Sequence, residues 1–122
     1  MRNTQETGNH GEELAKIFLL EQGYLILEEN WRYKKAEIDI ISVKDNQLVI
    51  VEVKTRASVH FGSPEEFVSQ DQQDHLFVAA NAYMEEKNIE KELRFDIIAI
   101  VIPNPQNTKI KHIEDAFYPG EF

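Results

Sequence analysis

Four residues stand out as able to do chemistry together: Glu37 and Asp39 in one apolar segment, Glu52 and Lys54 in the next. The segments 37–43 and 48–55 read as strands joined at Lys44-Asp45-Asn46-Gln47, where Asp and Asn tolerate the backbone angles of a tight turn. Closed through a two-residue turn at Asp45-Asn46, or through a four-residue loop over 44–47, the hairpin sets residues whose numbers sum to 91 opposite each other. Asp39 then faces Glu52, Glu37 faces Lys54, and period-two alternation puts all four on one face. Opposed side chains have Cβ atoms about 5 Å apart, so two carboxylates there repel unless one takes a proton or a cation sits between them. Oxygen ligands without His or Cys favour Mg²⁺ or Mn²⁺ over zinc, with a backbone carbonyl near Val53 as a further ligand. An ammonium at Lys54 could hold a phosphate oxygen or lower the pKa of an attacking water. Carboxylates, a hard cation and a lysine together point to phosphodiester hydrolysis.

A blander reading competes, because exposed cross-strand Glu and Lys pairs are common on solvated sheets. Against it stands the run Leu48-Val49-Ile50-Val51, apolar on both faces. That marks a buried strand, where charge is costly unless paired or metal-bound. A three-residue loop would reverse the parity and send Asp39 to the face opposite Glu52.

The elements that must position these residues follow from pattern. Leu14, Ile17 and Phe18, with Leu20 beside them, recur at helical spacing between Gly11 and Gln22, and Gly23 supplies a C-terminal stop. Tyr24 to Trp31 reads as a strand, followed by the polar connection Arg32-Tyr33-Lys34-Lys35. After the hairpin, Ser63-Pro64-Glu65-Glu66 offers an N-cap, a first-turn proline and a capping-box glutamate. That helix, with a break near Ser69, carries the stripe Leu76, Ala79, Ala80 and Tyr83 to about Lys87. Leu93 to Ile102 is a nearly continuous apolar strand interrupted by Asp96 and ended by Pro103 and Pro105, and Lys109 to Ile113 makes a short edge strand. The expected fold is α/β: a mixed sheet of four to five strands with helices on both sides.

Length and composition set the outer limits. A chain of 122 residues suits one domain with one core, spanning 1–122 with flexible ends at about 1–9 and 118–122. The absence of cysteine excludes disulfides, thiol nucleophiles and thiolate zinc sites. The histidines at 10, 60, 75 and 112 are too scattered to read as a short-spaced metal pair. No apolar run approaches the roughly 20 residues of a membrane span, and Met1-Arg2-Asn3-Thr4-Gln5-Glu6 lacks the apolar core of a signal peptide, so no membrane partner and a cytoplasmic location are expected. The formal net charge of -9 works against general affinity for nucleic acid, so any such affinity must be local.

The ordered set Gly11-Glu12-Glu13, Gly23-Tyr24, Asn30-Trp31-Arg32, Glu37-Ile38-Asp39-Ile40-Ile41, Val51-Glu52-Val53-Lys54-Thr55-Arg56, Phe61-Gly62-Ser63-Pro64 and Arg94-Phe95-Asp96 closely resembles the YraN family of small bacterial proteins, from about Gly8 to Phe117. That family is similar to PD-(D/E)XK nucleases and archaeal Holliday-junction resolvases. The resemblance implies a restriction-endonuclease-like fold and metal-dependent cleavage of DNA, including branched DNA. By position it implies that Asp39 and Glu52 are metal carboxylates, Lys54 the catalytic lysine, and Glu13 the extra acidic residue of the resolvases. Glu13 also fits an ordinary solvated first-turn glutamate, which the helix dipole favours. Two departures matter: Gln72 stands where many relatives have a lysine, and Ala36 where glycine is usual before the Glu37-Ile38-Asp39 segment.

Arg32, Lys34, Lys35 and Arg56, interleaved with Trp31 and Tyr33, form a candidate nucleic-acid patch in which rings stack on bases and cations bind phosphate. Trp31 equally suits a core anchor, and the lysines a solvated turn. Three functions stay open: a Mg²⁺-dependent DNA nuclease, a silent binding module for nucleic acid or protein on the same fold, and a metal-dependent hydrolase of a small phosphate ester. A Walker-type loop is missing, which disfavours an NTPase. Symmetric cutting of two strands would favour a homodimer, a pairing that only the resemblance implies.

Overall fold

A computed structural model describes residues 4–56 and 68–119, with side chains from His10 onward. In chain order it contains helix α1 (Thr4–Glu21), strands β1 (Leu25–Tyr33), β2 (Ala36–Lys44) and β3 (Gln47–Arg56), helix α2 (Gln70–Lys87), and strands β4 (Glu92–Asn104) and β5 (Asn107–Phe117). The five strands form one sheet in the order β1-β2-β3-β4-β5, parallel between β3 and β4 and antiparallel elsewhere. This is the expected α/β architecture, consistent with a restriction-endonuclease-like fold.

The two helices cover opposite faces. Ala15 and Leu19 of α1 pack on Ile40, Val49, Val51, Ile98 and Ile100. Leu76, Ala79, Ala80 and Tyr83 of α2 pack on Ile38, Ile41, Leu48, Ile50, Phe95 and Ile97. Alternate residues of β3 thus serve different helices, which is why its sequence is apolar without a break. Burying one Leu or Ile fully is worth roughly 1.5–3 kcal/mol, so these two layers dominate the fold's stability. Gly11 lets α1 lie close to β3: a Cβ there would collide with the Thr55 side chain.

The β2–β3 hairpin closes through the two-residue turn Asp45-Asn46, with Asp45 in the left-handed region at φ 55°. Its regular pairing runs from Lys44↔Gln47 to Ile40↔Val51, the register expected. Strict alternation on β2, however, fails around Asp39: Ile38 belongs to the α2 core and Ile40 to the α1 core. β1 turns in step, because Trp31 pairs with Ile38 and Glu29 with Ile40, and the intervening Asn30 has φ 52°. A short polar residue that tolerates this region lets both strands change face together.

Other boundaries moved. α1 begins at Thr4 rather than Gly11, so part of the terminal segment expected to be flexible is helical. Residues 1–3 and 120–122 of those ends lie outside the described residues, as does the helix start expected at Ser63-Pro64-Glu65-Glu66. The break expected near Ser69 is the N-cap of α2, where Ser69 Oγ accepts the Gln72 amide at 3.2 Å. β4 continues through Pro103 to Asn104 because the register shifts between Val101 and Asn104, and a bulge tolerates a residue without an N–H. β5 is accordingly longer than the expected 109–113. Among the described residues, no helix is long and apolar enough to cross a membrane.

Candidate metal and phosphate site

The antiparallel ladder of β2 and β3 ends at Ile40↔Val51, and the next residues, Asp39 and Glu52, open into a cleft of about 400 Å³. The cleft is lined by Glu12 from α1, Lys35 from the β1–β2 turn, Glu37 and Asp39 from β2, Glu52, Val53 and Lys54 from β3, and Gln72 and His75 from α2. Glu37, Asp39, Glu52 and Lys54 therefore meet, though through the ladder's open end rather than along one flat face.

Each acid is held differently. The Asp39 carboxylate accepts the Val53 backbone N–H at 2.8 Å, so a side chain takes the place of a ladder partner. Burial raises its pKa to about 6, opposed by that hydrogen bond, with Glu12 adding to the rise. Glu52 is only 4% exposed, and its Oε1 has no hydrogen-bond partner. Burial pushes its pKa well up, and the neighbouring Asp39 pushes it further, with Lys54 pulling the other way. A buried carboxylate oxygen without a partner carries a penalty that a cation would remove. The donor set fits a hard cation: one buried and one half-buried carboxylate, with the Val53 main chain beside them.

Two residues not singled out from the sequence shape the same cleft. Glu12 lines it, half-buried and with a pKa raised chiefly by burial. Asn30, with its amide nitrogen turned toward the acids, donates to Glu12 Oε2 at 3.2 Å and Glu37 Oε1 at 3.3 Å. The signal for Glu12 was the adjacent Gly11, since a glycine within a helix marks close approach to a neighbour. Glu13, the residue expected here, is not brought to the cleft: its side chain is 57% exposed and pairs with Lys16 at 3.2 Å.

The expected basic patch is divided. Lys35 reaches the cleft, whereas Lys34 stands 5.3 Å from the Tyr33 ring centroid. Arg32 pairs with Glu37 at 3.1 Å on the rim. Arg56 is exposed at the end of β3, where its guanidinium donates to the Thr55 carbonyl at 2.9 Å, and it is not among the cleft residues. Trp31 is a core anchor, packed edge-on against Tyr83 with ring centroids 5.1 Å apart.

The family model described as "Uncharacterised protein family UPF0102" matches residues 11–100, a stretch that contains every cleft residue named above. The chain belongs to the UPF0102 family. This is the group that the sequence resemblance names as YraN. A UPF0102 protein of Flavobacterium psychrophilum is 50% identical over 118 residues, covering 97% of this chain and 98% of the relative. One from Bacteroides thetaiotaomicron is 45% identical over the whole of both chains. One from Natranaerobius thermophilus is 42% identical, covering 94% of this chain and 99% of its own.

A second polar cluster in this UPF0102 chain also escaped sequence reasoning. Asp96, His112 and Glu114 bring potential ligand atoms within 4.8 Å of one another. Asp96 is already satisfied: Arg94 donates Nε to Oδ1 at 2.9 Å and Nη2 to Oδ2 at 2.8 Å, His112 Nε2 lies 2.7 Å from Oδ2, and the Asp115 amide donates to Oδ1 at 2.9 Å. Tyr24 and Glu114 complete the network through Arg94. Its chemistry is that of a buried ion pair tying β4 to β5.

Proposed function

We propose that this UPF0102 protein is a divalent-metal-dependent hydrolase of phosphodiester bonds in DNA, including branched DNA. The observation that carries the reading is the pair of carboxylates, half-buried Asp39 and buried Glu52, with Glu52 Oε1 unpartnered in a cleft that also holds Lys54. Asp39, Glu52 and the Val53 carbonyl would hold Mg²⁺ or Mn²⁺, which when bound supplies polarisation of a phosphoryl oxygen and acidifies a water. The chain's own groups do the rest. The Val53 amide fixes the orientation of the Asp39 carboxylate. Lys54 meets negative charge as it gathers on the phosphate oxygens, and in a partly enclosed cleft such a cation acts more strongly than in water. Asn30 keeps Glu12 and Glu37 at the rim, so the acidic side of the cleft is preorganised. Lys35 gives the incoming phosphate a second cation. The choice of DNA draws on the likeness to resolvases.

The test is a cutting assay on single-stranded, duplex and branched DNA with Mg²⁺ or Mn²⁺. Asp39→Ala, Glu52→Ala and Lys54→Ala should each lower the rate by about a hundredfold or more. Rates that stay at the wild-type level would move the site elsewhere, and a protein that cuts none of these substrates would sink the reading.

One observation favours a second reading. Gln72 lines the cleft where the family resemblance implies a lysine, so the α2 wall lacks that cation. A protein that binds nucleic acid without cutting it would tolerate that loss better. DNA binding that persists in chelator, together with no cutting, would support the binding module.

A further inference from the structure

Beside the acidic cleft lies a second cavity of about 190 Å³, lined by Tyr33, Lys34, Lys35, Ala36, His75 and Val78 and almost wholly apolar in its exposed surface. It shares Lys35, Ala36 and His75 with the cleft, so the two adjoin. We propose that this cavity is a nucleobase subsite, which takes an unpaired base of a DNA strand whose phosphate enters the neighbouring cleft. The proposal rests on the functional reading above for the identity of the strand.

The chemistry of the walls fits that occupant. Tyr33 lies at the end of β1, an edge strand, and runs parallel to Trp31, with ring planes 4° apart and centroids separated by 6.0 Å. Trp31 is in turn braced by Tyr83 of α2, so the Tyr33 ring rests on a supported aromatic stack. Rings of this kind stack on any base face, whatever the sequence. Val78 supplies apolar surface from α2 and is 52% exposed, so a base in the cavity could pack against it. Lys34, whose ammonium lies 5.3 Å from the Tyr33 ring centroid, and Lys35 flank the cavity on the turn between β1 and β2. A base entering to stack on Tyr33 takes the place of that ammonium and leaves both lysines to meet the phosphates on either side.

The charge of the whole chain strengthens the case. With a formal net charge of -9, diffuse attraction to a phosphate backbone is weak, and affinity must come from local contacts. A paired base, locked in its stack, cannot enter such a cavity; an unpaired one can. The subsite therefore selects single-stranded, frayed or branched DNA over intact duplex.

The test measures fluorescence anisotropy of the full-length chain with a labelled DNA oligonucleotide, single-stranded or fully paired, in calcium buffer. The single strand should bind about tenfold tighter than the duplex, and Tyr33→Ala should remove about that tenfold while leaving duplex affinity within twofold. Tyr33→Trp should preserve the preference. Val78→Glu sets a carboxylate in the cavity from a solvent-facing helix position, so it decides the matter should Tyr33→Ala fail to fold. Equal binding of both forms, no binding of either, or single-strand affinity unmoved by Val78→Glu would overturn the subsite. Mn²⁺ calorimetry on the wild type separates the two ideas. Strand preference without metal binding sinks the hydrolase and keeps the subsite, whereas metal binding without strand preference does the reverse.

Discussion

Asp39 and Glu52 place two like charges where water is scarce, and the consequence can be measured without any substrate. The folded-state pKa of Asp39 stands at about 6, above its ordinary value, so the folded protein binds a proton more tightly than the unfolded chain does. The stability this contributes is present at low pH and is lost as pH rises through about 6. Glu52 shifts in the same direction. In chelator, Asp39→Asn should therefore stabilise the protein by about 1–2 kcal/mol near pH 8 and by much less near pH 5, and Glu52→Gln should act in the same direction. Denaturant unfolding at the two pH values checks this, and a destabilised Glu52→Gln at the higher pH would count against a strained pair. Both substitutions should also abolish Mn²⁺ binding in calorimetry. That these residues meet was legible beforehand, because an Asp-Asn turn and an unbroken apolar run leave little freedom of register, although the ladder opens before it would pair them directly. The assignment of Glu13 rather than Glu12 was not resolved, since neighbouring positions on a helix differ by about 100° and only the location of the sheet selects between them.

At the scale of elements, the contact of α1 with β3 decides whether Glu12 reaches the cleft. Gly11 sits against Thr55, and added volume at such a contact costs about 1–3 kcal/mol, against which alanine's better helix propensity returns roughly 1 kcal/mol. Gly11→Ala should thus lower stability by up to about 2 kcal/mol. Combined with Thr55→Ala it should recover most of the loss, a coupling that a double-mutant cycle in urea would reveal. Additive effects would mean that the helix does not lean on that side chain. Sequence pattern found every strand and helix that the structure describes, because burial on two faces writes itself into β3 and β4 and on one face into α2. It misjudged the ends of β4 and β5, where a bulge at Pro103 lets pairing continue past a residue that usually stops it. The crossing of β1 and β2 from one face to the other at Asn30 and Asp39 was also invisible, since a single left-handed residue leaves no periodic trace.

Across the whole molecule, two sets of carboxylates pull the pH dependence in opposite directions. Burial alone would raise the pKa of Asp96, but His112, Arg94 and the Asp115 amide together outweigh it and hold the group below its ordinary value. The stability from Asp96 is therefore present above about pH 4 and disappears as acid protonates it, whereas that from Asp39 fades as pH rises through about 6 and that from Glu52 is lost in the same direction. In chelator the protein should be most stable between about pH 4 and 6, with Mg²⁺ extending the plateau upward. Thermal unfolding across pH, with and without the ion, tests this; a maximum near pH 8 in chelator would contradict it. Asp96→Ala leaves the half-buried Arg94 without its main partner and should cost about 3–5 kcal/mol. None of this network was legible in the chain, because it joins residues of β4 and β5 with Tyr24, and only the completed sheet brings them together.

The hydrogen bond from the Val53 amide to Asp39 gives one carboxylate two duties, strut and ligand. A strut that also grips an ion stiffens when the ion arrives, so the fraying end of the hairpin becomes a gauge of occupancy. Deuterium uptake at that single amide should slow as Mg²⁺ is titrated in, while amides deep in β4 keep their pace. Filling the site would thus be felt first by the backbone, before any strand of DNA is present to be cut.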